Sequence, residues 1–489
     1  MASIFQRDYY RGRNNLILGS IGLTAAAAAA AVWTFREWRR TRQEQRLVRD
    51  DDAKYILTAH EQLIEGGTPL IELKRVTKLI GRSVYVKMES MNPGGTGKDR
   101  AALNMIRMAE KEGKLPPTAP TIVGANSDDN LFLHPSLPTG TASYNDDYET
   151  DTTNTRTHDS SATSSTTTTT EKELEVFVLQ ALERSRTGGL VVEGTSGSTG
   201  IALATLCAAR GHACLVVLPD DQAVEKQRIL RSLGAIVYEV PTAAISNPNH
   251  YVNLGRKAAM LARDKFGVSA VFIDQFENLA NFDIHYRQTG PELLRQLGEL
   301  TGRRGLDAFV MSSGTGGTIA GMATYLKEQQ LNNNDDVQIV LVDPPGSALY
   351  HKVEHGVAYA VEQRERTLRK HRYDTLAEGI GLDRITRNFS SGVDCIDKAI
   401  RVTDQEAVDM AHWILRTEGL WIGSSSAMNV VGAIRAALAL PANSSVVTII
   451  CDGGQRHATR FWDPKFIHEW GLQWPGTDCV PECLVLNER

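Results

Sequence analysis

Lys98 lies in the stretch Ser90 to Arg100, SMNPGGTGKDR, where a glycine-rich turn runs into an amphipathic helix. Asn92-Pro93-Gly94-Gly95 specifies the turn, and Ala101, Leu103, Met105, Ile106 and Met108 form an apolar series behind it. A cation at a helix start is disfavoured by the helix dipole. A lysine kept there is expected to lose its proton readily when desolvated, the state that forms a Schiff base. Two more loops share its chemistry. Thr195 to Gly200 (TSGSTG) and Gly314 to Thr318 (GTGGT) each follow an apolar run and open a helical pattern, so their backbone N–H groups, hydroxyls and positive helix ends suit an anion. Neither carries GxxxxGK[ST] or the dinucleotide pattern GxGxxG. A phosphate site without a nucleotide handle, together with a candidate Schiff-base lysine, points to pyridoxal phosphate.

The elements that must hold these loops alternate between strand and helix. Ala53–Leu63 reads as a helix, Leu70–Leu73 and Val84–Met88 as strands, and the helix begun by Lys98 breaks at Leu115-Pro116-Pro117. Strand 190–193, helix 201–210, strand 213–218, helix 222–233 and strand 235–240 follow. Strand 308–311, helix 319–328 and strand 338–342 continue the theme, then helix 404–418, a segment around 422–426, helix 429–438 and strand 446–451. This alternation implies parallel βαβ units with ligands at the carboxyl ends of the strands. The stretch 117–170, rich in Thr, Ser, Asp and Asn and ending in SSATSSTTTTT, is expected to be a disordered insertion inside a domain. Residues 171–185 are expected to add a short helix at its far edge, and 351–372 reads as a charged linker.

The chain of 489 residues is 42% hydrophobic with a formal net charge of -5, enough for two lobes plus appendages. No basic stripe with interleaved aromatics marks a nucleic-acid partner. Its six cysteines form neither a CxxC pair nor a zinc-spaced cluster, so reduced thiols and no metal are expected. Residues 14–35 carry no charge and are long enough for a bilayer core of about 30 Å. Arg7, Arg11 and Arg13 precede them, and six arginines follow before residue 50. Arginine-rich, acid-poor flanks suit a mitochondrial signal-anchor.

On NP…KDR, TSGSTG, GTGGT and the block Asp274-Gln275-Phe276-Glu277-Asn278 through Asn281 to Thr289-Gly290-Pro291-Glu292, the chain resembles the cysteine synthase and cystathionine β-synthase family. The likeness spans roughly residues 55–465 and is nearest to membrane-anchored fungal cysteine synthase-like members. The resemblance implies an α/β, fold-type II, tryptophan synthase β-like architecture of two αβα lobes with mostly parallel sheets, plus an N-terminal transmembrane helix. It divides the chain into an anchor at 1–49, a large cofactor-binding lobe at 50–91 and 279–470, a small lobe at 92–278 and a tail at 471–489.

The same resemblance assigns residues. Lys98 is the Schiff-base lysine and general base. Ser198, Gly314, Thr315, Gly316, Gly317, Thr318 and Asp452 are cofactor contacts, and Thr195, Ser196, Gly197, Thr199 and Gln275 hold the substrate. Two departures stand out. Ser198 replaces an asparagine that contacts the ring hydroxyl, and Gly453 falls where a serine meets the ring nitrogen, leaving Asp452, Cys451 or Ser425 as substitutes. The implied reaction is β-replacement, O-acetylserine and sulfide giving cysteine and acetate, through a Lys98 aldimine and an aminoacrylate. A cystathionine β-synthase-like or other β-lyase reaction is the alternative enzyme reading; a catalytically weak, membrane-tethered scaffold is the non-enzyme reading. A homodimer, anchored at the mitochondrial outer membrane by a single N-terminal pass, completes the expectation.

Overall fold

The computed structural model describes residues 58–117, 165–302, 305–333, 337–359 and 375–485. The expected membrane anchor lies outside them, as does most of the expected insertion. Among the described residues no helix is long and apolar enough to cross a membrane.

In chain order the first half comprises α1 (Ala59–Gly66), β1 (Leu70–Glu72), α2 (Lys74–Ile80), β2 (Ser83–Lys87), α3 (Lys98–Lys111), α4 (Ser165–Leu182), β3 (Gly189–Gly194), α5 (Ser198–Arg210), β4 (Ala213–Pro219), α6 (Val224–Ser232), β5 (Ile236–Val240), α7 (Tyr251–Phe266) and β6 (Ser269–Phe272). The second half begins with α8 (Ala280–Ile284), which runs through a wide turn, His285–Thr289, into α9 (Gly290–Thr301). Then come β7 (Ala308–Ser312), α10 (Gly317–Asn333), β8 (Gln338–Asp343), α11 (Leu349–His355), α12 (Arg387–Ser390), β9 (Lys398–Arg401), α13 (Asp404–Glu418), α14 (Ser424–Leu438), β10 (Ser445–Ile449) and α15 (Pro464–Glu469).

Two sheets result. Six strands pair in the order β1-β2-β10-β7-β8-β9, parallel apart from β1 against β2, and four pair in the order β5-β4-β3-β6, all parallel. Both sheets are covered on both faces, as parallel sheets require. On β7, Ala308 and Val310 pack on one side while Phe309 and Met311 pack on the other; Val340 and Val342 alternate with Ile339 and Leu341 on β8 in the same way. In the smaller sheet Val216 and Leu218 face one core, Leu215 and Val217 the other.

Several expectations need correction. The Thr run at the end of the expected insertion belongs to α4, which starts at Ser165. The buried face of that helix, Leu174, Val178 and Ala181, packs on the small sheet, and Phe177 stacks on Tyr238 at 4.4 Å. Helical spacing of apolar residues therefore outweighs the weak helix preference of threonine. The expected linker starts inside a helix, α11, while residues 360–374 lie outside the described set. The first described helix runs from Ala59 to Gly66, three residues past the expected end at Leu63, while residues 53–57 of the expected helix lie outside the described set. Helix α14 begins at Ser424, five residues before expected, because Ser424, Ser425 and Ser426 are buried as its first turn.

Candidate active site

Strand β2 delivers the chain to Lys98. A single helical turn at Glu89–Met91 leads into a loop closed by Gly95 N–H to Asn92 O (2.7 Å) and Gly94 N–H to Asp99 Oδ2 (2.7 Å). Gly95 sits at φ 77°, a conformation glycine adopts without strain. Asn92 is fixed by donating to Glu89 Oε2 (2.9 Å). Lys98 then opens α3 and is half-buried. Desolvation lowers its ammonium below the ordinary lysine range, against the opposing pull of Cys451 and Asp452. The charge-disfavouring placement read from the sequence is thus met by burial, which increases the neutral, nucleophilic amine.

The TSGSTG loop follows β3. Thr195 Oγ1 accepts from Gly197 N–H (3.2 Å), and Gly197 has φ 124°. Thr199 Oγ1, in the first turn of α5, donates to Gln275 Oε1 (2.6 Å), so two expected substrate contacts meet across 76 residues of chain. Ser198 is half-buried at the same helix start, and Ser196 sits beside it in the loop. Gln275 is held from below by Glu193, the penultimate residue of β3, whose carboxyl accepts from the N–H groups of Asp274 (2.9 Å) and Gln275 (3.4 Å). Burial pushes the Glu193 carboxyl well above the ordinary range, with Asp274 adding to it.

One asparagine links this side to the GTGGT loop. Asn281 Nδ2 donates to both Gln275 O (2.9 Å) and Thr315 Oγ1 (2.9 Å), and Asn388 Nδ2 donates to the same Gln275 oxygen (2.9 Å). Thr386 Oγ1 donates to Thr315 O (2.7 Å). At the first turn of α10, Thr318 Oγ1 lies 3.1 Å from His285 Nε2, whose Nδ1 lies 3.0 Å from Thr289 Oγ1. Burial pushes His285 down to about 3, with Glu89 opposing and Lys98 and Arg100 adding to the shift, so a neutral ring holds the threonine. Helix α3 packs on the same segment through Asn104 Nδ2 to Ala280 O (2.7 Å).

The glycines of GTGGT are there for close approach. Gly316 has φ 86°, and a Cβ on it would lie 2.6 Å from Phe389 Cα and 2.7 Å from Phe389 N. Gly314 sits against the Gly379 carbonyl and Gly317 against the Asn281 side chain, so neither admits a side chain. Gly316→Ala is expected to weaken cofactor binding about 5- to 150-fold, because strain of about 1–3 kcal/mol falls on the loop. Fluorescence titration with pyridoxal phosphate checks this; unchanged affinity in a folded variant would remove the loop from the site.

The late loop after β10 closes the site from the far side. Thr96 and Asp452 form an isolated antiparallel bridge, as do Ile422 and Gly453. Gly97 N–H donates to Cys451 O (3.4 Å), so the Lys98 loop and the late loop are adjacent. Burial opposes ionisation of Asp452, but the neighbouring charges of His457, Lys226 and Arg456 outweigh it and hold the carboxyl below the ordinary range. Gly453 offers only backbone here.

Sequence reasoning singled out Lys98, both glycine loops and Gln275. It missed the roles of Glu193, Asn281, His285, Thr386 and Asn388, although Asn281 stood within a block already singled out. The six cysteines are all free, and among the described residues no group of three or more His, Cys, Asp or Glu could hold a metal ion.

The residues fit a pyridine aldehyde carrying a phosphate. They supply a desolvated lysine amine, a glycine cradle at a helix N-terminus with two threonine hydroxyls, and a buried carboxylate, Asp452, whose Oδ1 has no hydrogen-bond partner. Comparisons with known proteins agree. Residues 61–128 and 170–452 match the family model described as pyridoxal-phosphate dependent enzyme. A Neurospora crassa protein named cysteine synthase 2 is 39% identical over 411 residues, 83% of this chain and 73% of its own. A Saccharomyces cerevisiae protein whose name carries the words mitochondrial cysteine synthase is 39% identical over 403 residues, 82% of this chain and 83% of its own. The crystal structure of an O-ureido-L-serine synthase shares the fold, with a TM-score of 0.55 and 24% identity, covering 83% of this chain and 95% of that one.

Proposed function

The chain belongs to the pyridoxal-phosphate dependent enzymes, and from that membership we propose that it is a cysteine synthase, converting O-acetylserine and sulfide to cysteine and acetate. The observation that carries the reading is the hydrogen-bonded chain from Thr199 through Gln275 and Asn281 to Thr315 of GTGGT, in a chain that carries a desolvated Lys98 amine and is 39% identical to named cysteine synthases over most of its length.

When bound, the cofactor supplies an electron sink for the carbon that loses its proton. The rest is done by the chain. Gly314, Thr315, Gly316, Gly317 and Thr318 hold the phosphate with backbone N–H groups and hydroxyls, and His285 keeps the Thr318 hydroxyl oriented. Thr195, Ser196, Gly197, Thr199 and Gln275 receive the amino-acid carboxylate. With Thr199 Oγ1 donating to Gln275 Oε1, the amide N–H end of Gln275 serves as the donor. Lys98 Nζ holds the cofactor, then takes the α-proton and returns it after the thiol adds. Ser198 is assigned to the cofactor side of the same loop, where its short hydroxyl makes a weaker contact than a longer amide would.

Incubating the purified protein with the cofactor, O-acetylserine and sulfide should yield cysteine and acetate in equal amounts. A loaded protein that forms neither overturns the reading. Gln275→Ala is expected to raise KM for O-acetylserine about 10- to 100-fold with kcat little changed, the loss of one charge-assisted hydrogen bond of about 1.5–3 kcal/mol. A fall in kcat at constant KM would place Gln275 elsewhere in the mechanism.

The cellular setting belongs to the same proposal. A mitochondrial location is supported by the name of the yeast relative and by the arginine-rich start of the chain. Outer-membrane anchoring through residues 14–35 rests on their uncharged length alone; carbonate extraction of mitochondria that frees the protein would rule it out. Division into a large lobe (50–91 and 279–470) and a small lobe (92–278) is supported by the membership of the two sheets. The homodimer rests on the family resemblance.

A further inference from the structure

The two glycine loops meet at a segment with no part in the proposed chemistry, Glu378-Gly379-Ile380-Gly381, which lies between β8 and β9 of the six-stranded sheet. The Gly379 carbonyl lies directly against Gly314 of GTGGT, and a Cβ on Gly379 would sit 3.8 Å from Ser196 Oγ of the TSGSTG loop. The next residue of that loop is backed by Lys226. A Cβ on Gly197 would lie 2.5 Å from Lys226 Cδ and 3.3 Å from its Cβ and Cγ. The lysine stem is thus the surface on which this backbone, at φ 124°, is laid. Beyond the stem, Lys226 Nζ donates to Glu378 Oε2.

Lys226 stands in the first turn of α6, the helix between β4 and β5 of the four-stranded sheet, so the pair joins segments of the two sheets. Its neighbours make the same crossing. Glu225 accepts from Thr459 N–H (2.8 Å) and Thr459 Oγ1 (2.7 Å), and Arg460 donates to Asp221 O. Lys226 is 2% exposed and the Glu378 side chain 7%. Burial alone would raise the Glu378 carboxyl, but Lys226, His457 and Arg460 hold it below the ordinary range. A buried ion pair adds little net stability over apolar packing of the same volume, because desolvation offsets the attraction. Here it supplies a direction. With its ammonium held by Glu378, the stem cannot swing away from Gly197.

We propose that Lys226 is a positioning residue for the loop that receives the amino-acid carboxylate, held in place from the other sheet by Glu378. This rests on the proposed function and deepens it. The ammonium is engaged by Glu378, so the lysine acts through the loop: its stem sets the path of the Thr195 to Gly200 backbone, and with it the directions of the N–H groups and hydroxyls offered there. A loop free to shift must be ordered when the carboxylate binds, which weakens binding. The proton transfer at Lys98 needs neither member of the pair, so the loss belongs in KM and not in kcat.

The test compares Lys226→Met with the double variant Lys226→Met/Glu378→Gln, each as the full chain loaded with pyridoxal phosphate. Methionine removes the charge that Glu378 holds, and the double variant removes the stranded carboxylate as well. Lys226→Met should raise KM for O-acetylserine about tenfold with kcat little changed, the equivalent of one oriented hydrogen bond lost from the loop, and its melting temperature should fall. The double variant should regain most of the lost melting temperature while KM stays raised, since neither neutral side chain ties the stem to the other sheet. A double variant that recovers KM together with melting temperature, or that fails to fold, shows a merely structural pair and overturns the assignment. Either variant with the wild-type KM, or with a lowered kcat at constant KM, overturns it too. A wild-type chain that forms no cysteine overturns the proposed function, and this inference with it.

Discussion

Lys98→Ala is expected to lower sulfide-dependent cysteine formation by about 10⁴-fold or more, about 5 kcal/mol of transition-state stabilisation. The same residue anchors the cofactor and carries the α-proton, so both roles vanish with one amine. Folding should not suffer. Desolvation holds the ammonium below its ordinary range in the native state, so the unfolded chain binds the proton more tightly and native stability rises with pH through this group. At neutral pH the buried cation is therefore a cost, and alanine should leave the melting temperature of the cofactor-free protein unchanged or raise it by a few degrees. Paired measurement of turnover and apo-protein melting checks this. Turnover above about 1% of wild type would sink the lysine's assignment, and a large drop in melting temperature would mean that Lys98 is structural.

What could be read from the sequence follows from how local each signal is. The turn before Lys98 and the glycine loops are local, because φ above zero and anion-ready helix starts need glycine and small polar residues at adjacent positions. Strands such as Ala308–Ser312 and Gln338–Asp343 are continuous apolar runs and announce themselves too. The polar scaffold is different. Asn281 joins Gln275 to Thr315, Asn388 reaches back 113 residues, and Asn429 spans two strand ends by accepting from Ser312 N–H and donating to Ile449 O. No periodicity encodes such partners.

The position of β10 between β2 and β7 is equally non-local, yet it alone brings Asp452 beside Thr96. This is why the sequence left Asp452, Cys451 and Ser425 as alternatives opposite the ring nitrogen: which residues come near the Lys98 loop depends on strand order and not on local spacing. It also explains the shifted start of α14. Three serines read as a loop when isolated, but buried as a first turn they serve the helix, with Ser426 Oγ accepting from Cys451 N–H at 2.9 Å.

Arg100→Met should destabilise the protein by about 3–5 kcal/mol, the usual cost of removing one partner from a buried ion pair. Arg100 is 0% exposed. Its guanidinium grips Glu89 through Nε and Nη2 (both 2.9 Å) and Glu292 through Nη1 (2.7 Å), while Lys87 pairs with Glu292 and Thr68 Oγ1 donates to Glu89 Oε1 (2.8 Å). Two cations and two anions thus join β2, the turn before the Lys98 loop, α3 and α9. The pin fixes the helix that presents Lys98, so cofactor occupancy should fall along with stability.

The pH dependence follows from Glu89. Burial alone would raise its carboxyl, but Arg100 and Lys87 bring it down to about 2. A folded-state value below the unfolded one adds stability that is present above about pH 4.5 and is lost as pH falls toward 2. Without Arg100, burial is opposed only by Lys87 and the Thr68 hydrogen bond, and the carboxyl moves upward, so the deficit should be largest at neutral pH and narrow toward pH 5. Urea unfolding at both pH values measures it. Combining Glu89→Gln with Arg100→Met removes the stranded anion and should recover part of the loss. A double variant no more stable than Arg100→Met, with a deficit independent of pH, would show that the Arg100–Glu89 pair does not pin the Lys98 helix.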